Sequence, residues 1–323
     1  LELADDSGAG NGAYGFGWSL SLPAVTRKTD KGLPTYDDSD VFLLSGAEDL
    51  VPVTDAAGEV IDDDSFPGFI VRRYRPRIEG QYARIERWTS VGDDVHWRSL
   101  SKDNVLTIYG ADAASRIADP VVAPGRPARI SSWLMCESRD DKGNVIVYEY
   151  KAEDGASISL DRARERNRGA RDDPLRSANR YLKRVLYGNR TPRLDHAGKR
   201  PRRMEDLGAP QPGRQDFLME LVLDYGEHDE AVPTPEEVRD WPCRPDAFSA
   251  YRSGFEVRTN RLCRRFLMFH HVPALANGWP GYDGLVRSTD LRFTHDDAPS
   301  GTSYSFLASV TQTGHRRAGA AYR

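Results

Sequence analysis

Cysteine is scarce in this 323-residue chain, which contains only Cys136, Cys243 and Cys263. There is no Cys-x-x-Cys motif and no His/Cys pair at zinc spacing. An odd and sparse set gives no disulfide framework, so we expect three reduced and mostly packed thiols.

Long apolar runs and targeting signals are also lacking. No stretch approaches the roughly 20 apolar residues that span a membrane, and no signal peptide is visible. Because the chain opens in mid-pattern without an initiator Met, we interpret residues 1–323 as one domain cut from a much larger chain.

An excess of positive charge is absent, since the formal net charge is −4. This excludes a generally basic nucleic-acid binder. The charge is nevertheless unevenly distributed: residues 1–70 carry 14 acids against 3 bases, and residues 161–203 carry 15 bases against 5 acids. Such blocks pair within a fold or across an interface, or form two solvated surfaces. The Arg-rich segment 162–203 has few interleaved aromatic residues, which disfavours nucleic-acid binding.

Sequence motifs of catalysis are missing, and nucleotide binding is not expected. The sequence has neither a Gly-x-Ser-x-Gly elbow nor a His-Glu-x-x-His zinc helix. In the opening segment, Gly10, Gly12 and Gly15 have the Gly-x-Gly-x-x-Gly spacing, but no helix is predicted after them, so a phosphate-binding loop is not expected. Gly8 and Gly17 are the other glycines of this segment.

Adjacent polar residues offer few candidate sites. Asp62, Asp63 and Asp64 lack the ligand frame of a calcium loop, which favours a solvated loop. The pairs Asp37/Asp38 and Asp140/Asp141 occur at turns, where Asp caps backbone amides. His270 and His271 adjoin in a strand pattern and face opposite sides, so we expect one packed and one solvated ring. We therefore predict no catalytic, cofactor-binding or metal-binding residues.

Aromatic residues, 28 Gly and 20 Pro favour β structure with many turns. The clearest hairpin joins Ile130–Ser138 to Val145–Lys151 through the turn at residues 139–144. Four short strands are predicted in succession before it, at Phe69–Tyr74, Tyr82–Thr89, His96–Ser101 and Val105–Tyr109.

Further segments complete an all-β prediction of mainly antiparallel sheets, forming a curved wall or a sandwich, with long loops and few short helices. A short helix is predicted at about 176–182, and loops at 116–127, 190–215 and 230–249. The remaining predicted strands are 18–22, 40–44 with 50–53, Tyr181–Tyr187, Phe217–Tyr225, Phe255–Arg258, Leu262–His271, Leu285–Phe293 and Tyr304–Thr313.

Ordered short motifs spread over nearly the whole chain resemble the SpvB-type N-terminal domain. This domain begins the Salmonella virulence plasmid B protein and the B components of insecticidal Tc toxin complexes. Each motif is weak alone, but their order and spacing are specific. The motifs are Ser7–Gly12, Gly15–Leu20, Arg27–Gly32, Tyr36–Asp40, Tyr74–Gly80, His96–Arg98, Ser101–Asn104, Asp140–Asn144, Tyr181–Arg184, Tyr187–Arg190, Asp224–His228, Gly254–Thr259, Arg261–Arg265 and Ser309–Gly314.

The resemblance implies a non-catalytic structural module of a secreted bacterial toxin, without a cofactor. It implies a β-sheet shell built with downstream β-propeller and Rhs-repeat regions and with the toxin C component. That shell encloses a cytotoxic effector until it passes into the A-component channel. In the Salmonella protein, a separate C-terminal domain ADP-ribosylates actin and needs a Glu-x-Glu loop. This chain contains no Glu-x-Glu, so that activity is not expected here.

Two other functions are compatible with the sequence alone. Exposed tryptophans stack on sugars, which suggests a carbohydrate- or receptor-binding module of the same toxin, although Trp in β proteins is commonly packed. An unrecognised enzyme is the third alternative. The tryptophans concerned are Trp18, Trp88, Trp97, Trp133, Trp241 and Trp279.

Overall fold

The chain folds almost entirely into antiparallel strands, with 45% strand and 5% helix, which confirms the predicted all-β class. Among the residues that the structure describes, no helix is long and apolar enough to cross a membrane. The computed structural model describes residues 2–6, 8, 10–46, 48–80, 82–122, 127–195, 197–199, 213–274, 278, 280–297, 304–319 and 321–322.

The first half of the chain forms an eight-stranded barrel with short additional strands. Its strands are β1 (Leu3–Asp5), β2 (Asn11–Gly12), β3 (Gly15–Phe16), β4 (Trp18–Leu20), β5 (Ala24–Arg27), β6 (Phe42–Leu44), β7 (Glu48–Pro52), β8 (Asp62–Asp63), β9 (Phe69–Pro76), β10 (Arg84–Ser90), β11 (Val95–Leu100), β12 (Leu106–Tyr109), β13 (Arg116–Ala118) and β14 (Ile130–Arg139).

Strand β14 closes the barrel. The strand order is β12-β11-β10-β9-β7-β6-β5-β14, and β14 returns to pair with β12. The first part of β14 pairs with β5, with Ser132 opposite Thr26. Its second part pairs with β12, with Ser138 opposite Thr107. The two partners lie on opposite edges of one strand, so the sheet joins its own beginning.

The second half of the chain extends the same sheet from β14 as β15-β16-β17-β20-β21-β22, each strand antiparallel to its neighbours. Its strands are β15 (Val145–Ala152), β16 (Arg180–Asn189), β17 (Phe217–Asp224), β18 (Phe248–Ala250), β19 (Val257–Thr259), β20 (Arg265–Val272), β21 (Tyr282–Phe293), β22 (Leu307–Gly314), β23 (Arg317–Ala318) and β24 (Ala321–Tyr322).

Helical structure is limited to single turns. A short α-helix, α1, spans Thr294–Asp297. The 3-10 turns are Ala113–Ser115, Ala163–Glu165, Pro174–Arg176 and Arg214–Asp216.

Side chains fill the barrel, so it encloses a packed core. Phe42, Trp97 and Trp133 meet near its centre, with ring centroids 4.9 to 6.0 Å apart. A second core covers one face of the extended sheet and includes Tyr181, Tyr225 and Trp241. Alternating burial along β14 explains both the barrel and the strand pattern, since every second side chain points inwards.

The structure corrects the local predictions at residues 176–182 and 116–127. The predicted helix at 176–182 is wrong, because the 3-10 turn ends at Arg176 and β16 begins at Arg180. Asp173 caps that turn by accepting a hydrogen bond from the Leu175 amide. The predicted connector at 116–127 is partly wrong, since Arg116–Ala118 forms β13 against β14; its residues 123–126 lie outside the described residues.

Candidate functional site

The glycine-rich opening forms a small hairpin, β2–β3, that packs against the chain near Ser305. Phe16 N donates to the Ser305 carbonyl at 2.8 Å. Gly15 has φ +101°, and a Cβ at this position would lie 2.7 Å from the same carbonyl. The motif therefore serves close backbone packing, which only glycine permits here.

The paired aspartates have the turn roles predicted from sequence. The Asp37 carboxylate accepts from the Ser39 amide at 2.8 Å, and Asp140 accepts from the Asn144 amide at 2.8 Å. The solvated loop predicted at Asp62–Asp64 is partly wrong, because Asp62 and Asp63 form β8, and Asp62 accepts two hydrogen bonds from Arg72, at 2.8 and 2.9 Å. These three carboxylates are thus engaged by backbone amides or by arginine.

His270 and His271 differ from the prediction, because both rings are half-buried. His271 lies between two carboxylates, with Nδ1 at 2.7 Å from Asp283 and Nε2 at 3.0 Å from Glu220. The expected division into one packed and one solvated ring is therefore wrong. Cross-strand acids on β17 and β21 hold His271 at the sheet surface.

Several arginines in the described part of the Arg-rich segment pair within the fold. The buried Glu165 carboxylate accepts from Arg176 at 2.7 Å, from Arg168 at 2.8 Å and from Arg258 at 2.7 Å. Arg168 also bonds Glu256 at 2.9 Å. These arginines hold the long 153–179 connection against β19. The rest of the segment, residues 196 and 200–203, lies outside the described residues.

Four of the six tryptophans are core residues. Trp88, Trp97, Trp133 and Trp241 are each at most 1% exposed, so they present no ring face to a sugar. Trp18 is half-buried, and Trp279 lies outside the described residues. This burial removes most of the evidence for a carbohydrate-binding module. The three cysteines are free thiols, as expected.

Another concentration of buried ionisable groups lies where β17 leaves the sheet. Lys183 projects from β16 and pairs with Glu227. Its ammonium also donates to His228 Nε2 at 2.7 Å and to the Leu223 carbonyl at 3.1 Å. Arg265 on β20 donates to Asp224 at 2.6 Å. We call Lys183, Asp224, Glu227, His228 and Arg265 the joint cluster.

Burial and charge set the protonation of the joint cluster. Burial raises the pKa of Glu227, against the opposing charge of Lys183. Burial would also raise the pKa of Asp224, but the Arg265 guanidinium and the Gly226 amide outweigh it and lower that pKa. Burial and then the Lys183 charge lower the pKa of His228. The imidazole is therefore neutral beside a charged lysine.

Asp224, Glu227 and His228 are also the described group whose ligand atoms lie close enough to hold a metal, all within 4.8 Å. The ligand atoms of these three side chains, however, already accept hydrogen bonds from protein cations. Lys183 donates to Glu227 and His228, and Arg265 donates to Asp224. The arrangement fits an internal ion network that fixes the turn after β17, because each carboxylate has a cationic partner.

A further buried ion pair fixes the loop after β15. Arg261 and Glu153 are paired, and each is at most 1% exposed. The Arg261 guanidinium lies 4.4 Å from the centre of the Trp241 ring and donates to the Trp241 carbonyl at 2.8 Å. Like the joint cluster, this pair links segments distant in sequence, so buried charge fixes the connections of the extended sheet.

Sequence reasoning does not identify either cluster as a unit, although the residues lie in the motifs Asp224–His228, Tyr181–Arg184 and Arg261–Arg265, which carry the family resemblance. The only sign of these clusters in the sequence is that acidic and basic residues lie at the ends of predicted strands. Assigning each acid to its basic partner requires knowledge of which strands are neighbours in the sheet.

Together these features define a class: an all-β domain in which a filled barrel continues into an open sheet, with connections fixed by buried ion pairs. Residues 1–272 match the family described as SpvB, Salmonella virulence plasmid 65kDa B protein. The chain belongs to this family, which confirms the resemblance seen in its motifs.

Relatives from Salmonella agree with this assignment. The chain is 40% identical over 286 residues to the mono(ADP-ribosyl)transferase SpvB of Salmonella typhimurium strain 14028s, covering 84% of this chain and 45% of that protein. The protein of the same name from Salmonella dublin gives the same identity and coverage. The chain thus spans less than half the length of these relatives.

Solved structures show the same fold. The N-terminal domain of effector protein SpvB from Salmonella typhimurium strain LT2 is 33% identical, with a TM-score of 0.79 over 98% of this chain and 94% of that chain. The TcdB2–TccC3 structure is 31% identical, with a TM-score of 0.79 over 99% of this chain and 15% of that chain. The Photorhabdus luminescens Tc holotoxin pore is 30% identical, with a TM-score of 0.79.

Proposed function

We propose that residues 1–323 form a single, non-catalytic structural domain of a bacterial toxin. In this proposal the domain is part of a β-sheet shell that encloses a cytotoxic effector and helps to deliver it. The observation that carries the proposal is the similarity to TcdB2–TccC3, at 31% identity and a TM-score of 0.79 over 99% of this chain.

The chemistry of the described residues supports a structural role. The buried acids Glu153, Glu165 and Glu227 each pair with a lysine or an arginine. Such pairs fix connections, whereas general acid–base catalysis needs an ionisable group free to exchange a proton with substrate. The transferase activity of the SpvB relatives is proposed to lie outside the part that this chain matches.

The proposed partners are those that the family resemblance implies, and the similarity to a toxin complex supports them. They are β-propeller and Rhs-repeat regions of the same polypeptide, a C component carrying the effector, and an A-component channel. We propose that the assembled toxin is secreted and that no nucleic acid takes part in its function.

A protease-protection experiment tests the proposed function. The full-length protein that contains this chain is co-expressed with its C component, and the purified complex is digested with proteinase K. We expect the effector to survive in the intact complex and to be digested after the complex is unfolded in urea. A complex lacking residues 1–323 that still assembles and protects its effector contradicts the proposal.

An assay for NAD hydrolysis and ADP-ribose transfer completes the test. The purified chain is incubated with NAD and with actin, and both NAD hydrolysis and ADP-ribose transfer are measured. The full-length SpvB relative serves as the positive control. Transfer above the level of a heat-denatured sample would show that this chain is an enzyme.

A further inference from the structure

Strand β22 ends the large sheet, and the structure describes no strand beside its outer edge. Ala308 to Gly314 are exposed at every position, so both faces of the strand are open to solvent. The eight residues Leu-Ala-Ser-Val-Thr-Gln-Thr-Gly include no charged residue and no proline. Edge strands of folded proteins usually carry such residues to block further pairing. This edge is therefore open to another strand.

The register identifies the backbone groups at the free edge. His315 N donates to the Val286 carbonyl at 2.9 Å, so it faces β21. In an antiparallel strand, alternate residues direct both backbone groups to the same neighbour. The residues facing β21 are therefore Ser309, Thr311 and Thr313. The residues whose amides and carbonyls face outwards are Val310, Gln312 and Gly314, whereas Ala308 lies at the β-bulge where the register of β21 and β22 shifts.

Chain order indicates where a further strand would come from. From β14 to β22, the strands of the extended sheet are added in the order in which they occur along the chain, each antiparallel to the one before. The small β18–β19 hairpin is the excursion within this order. An antiparallel addition to β22 by the next segment of polypeptide would repeat the pattern.

The described chain ends close to the C-terminal end of β22, where an antiparallel neighbour of β22 would begin. After β22, the β23–β24 hairpin folds back, and Leu285 N donates to the Tyr322 hydroxyl at 3.0 Å. Leu285 is two residues from Arg287, which pairs with Gly314 at the end of β22. The chain therefore reaches residue 322 near the point where an antiparallel neighbour of β22 would begin.

We propose that β22 pairs with a strand of the polypeptide that follows residue 323 in a longer protein, so that the sheet continues in chain order. This inference rests on the proposed function, because it makes β22 the seam between this domain and the remaining wall. Related chains have the required length, since this chain spans 15% of the TcdB2–TccC3 chain. The seam is recognised through main-chain hydrogen bonds, as its residues are uncharged.

Hydrogen exchange resolved to single amides, on the full-length protein, tests the seam. We expect the outward amides of Val310 and Gln312 to exchange within about tenfold of the inward amides of Ser309 and Thr311, because both sets are bonded. Outward amides that exchange at the rate of free peptide, beside protected inward amides, would overturn the proposal.

A proline substitution provides the matched variant. Gln312→Pro removes one outward N–H and no hydrogen bond to β21, as proline at an edge strand allows. We expect exchange at Val310 to accelerate at least about tenfold while Ser309 stays protected. Gln312→Ala keeps the amide and should behave as the wild type. Unchanged exchange in Gln312→Pro would also overturn the proposal.

Two further outcomes separate this proposal from its alternatives. If the outward amides are protected only by a dimer, sedimentation will show dissociation on dilution together with loss of protection, and the occupant is then a second copy. If the edge is unprotected while the complex still shields its effector from protease, the seam is wrong and the proposed function stands. If the effector is digested while the outward amides of β22 are protected, the proposed function is wrong and the seam stands.

Discussion

Nε2 of His228 accepts a hydrogen bond from the Lys183 ammonium at 2.7 Å, while Nδ1 of the same ring contacts the Thr234 carbonyl at 2.9 Å. Because lysine only donates and a carbonyl only accepts, Nδ1 carries the ring proton. The neutral imidazole therefore links β16 to the loop after β17. Lys183 also compensates the buried Glu227 carboxylate, so one side chain connects three segments of the joint cluster.

Lys183→Met should destabilise the domain strongly. The substitution leaves Glu227 without its cationic partner, and breaking a buried pair costs about 3–5 kcal/mol. Urea unfolding followed by tryptophan fluorescence measures the change. The exposed Lys142→Met is the matched control, with an expected change within about 0.5 kcal/mol.

The double variant Lys183→Met/Glu227→Gln distinguishes lost charge from lost packing. Neutralising Glu227 removes the uncompensated charge, so the double variant should be more stable than Lys183→Met alone. A double variant that is less stable than the single one, or a single variant equal to Lys142→Met, contradicts the assigned role of the joint cluster.

His96 makes the stability of the barrel depend on pH. Burial and then the Arg98 charge lower its pKa to about 3, and Nε2 accepts from Arg98 Nε at 3.0 Å. Below the ordinary histidine pKa of 6.5, His96 is protonated in the unfolded chain but stays neutral in the folded protein. Stability is therefore complete above that pH and declines as pH falls towards 3, by up to about 1.4 kcal/mol per unit.

Urea unfolding at about pH 7, 6, 5 and 4 should show this decline. Steps of about one pH unit are large enough to resolve the expected change in the free energy of unfolding. His96→Gln keeps an acceptor for Arg98 but has no titrating ring. We expect its stability to fall less steeply with decreasing pH than that of the wild type. Parallel curves for the two proteins would mean that His96 does not contribute.

Local patterns predicted the hairpins of the fold well. The turn between β14 and β15 was predicted because Asp140 and the residues after it favour a turn between two alternating strands. The four strands β9 to β12 were predicted for the same reason. Closure of the barrel was not predicted, because the pairing of β12 with β14 depends on sheet twist and curvature.

The ion pairs could not be predicted from local sequence patterns, because their partners are far apart in the sequence. Arg258 and Glu165 are bonded at 2.7 Å but lie 93 positions apart in the sequence. The sequence showed a basic block and left open whether it pairs within the fold or faces solvent. The predicted helix at 176–182 failed because pairing of β16 with two neighbouring strands outweighs local helix preference there.

Gly15 should tolerate substitution less than Gly10. Both have positive φ, but a Cβ at Gly10 meets no atom within 4 Å, whereas one at Gly15 would lie 2.8 Å from the Phe293 ring. Gly10→Ala should cost about 1–2 kcal/mol from backbone strain alone. Gly15→Ala should cost a further ~1–3 kcal/mol from overpacking. Thermal unfolding of the two variants compares them directly, and equal losses would refute close packing at Gly15.

Trp133 should dominate the stability of the barrel core. It is 1% exposed, packs on Phe42 and Trp97, and donates from Nε1 to the Val95 carbonyl at 2.8 Å. Trp133→Ala should lower the free energy of unfolding by about 3–5 kcal/mol, because it leaves a cavity between strands on opposite sides of the barrel.

Trp133→Phe separates the hydrogen bond of Trp133 from its packing. The ring is retained, but the Val95 carbonyl loses its donor, so we expect a smaller loss of about 1–3 kcal/mol. Ile78→Ala, at a side chain that is 73% exposed, should change stability by no more than about 0.5 kcal/mol. Urea unfolding of all three variants, followed by circular dichroism, tests this order. If Trp133→Ala and Ile78→Ala lose similar stability, the barrel interior is not the core that supports the fold.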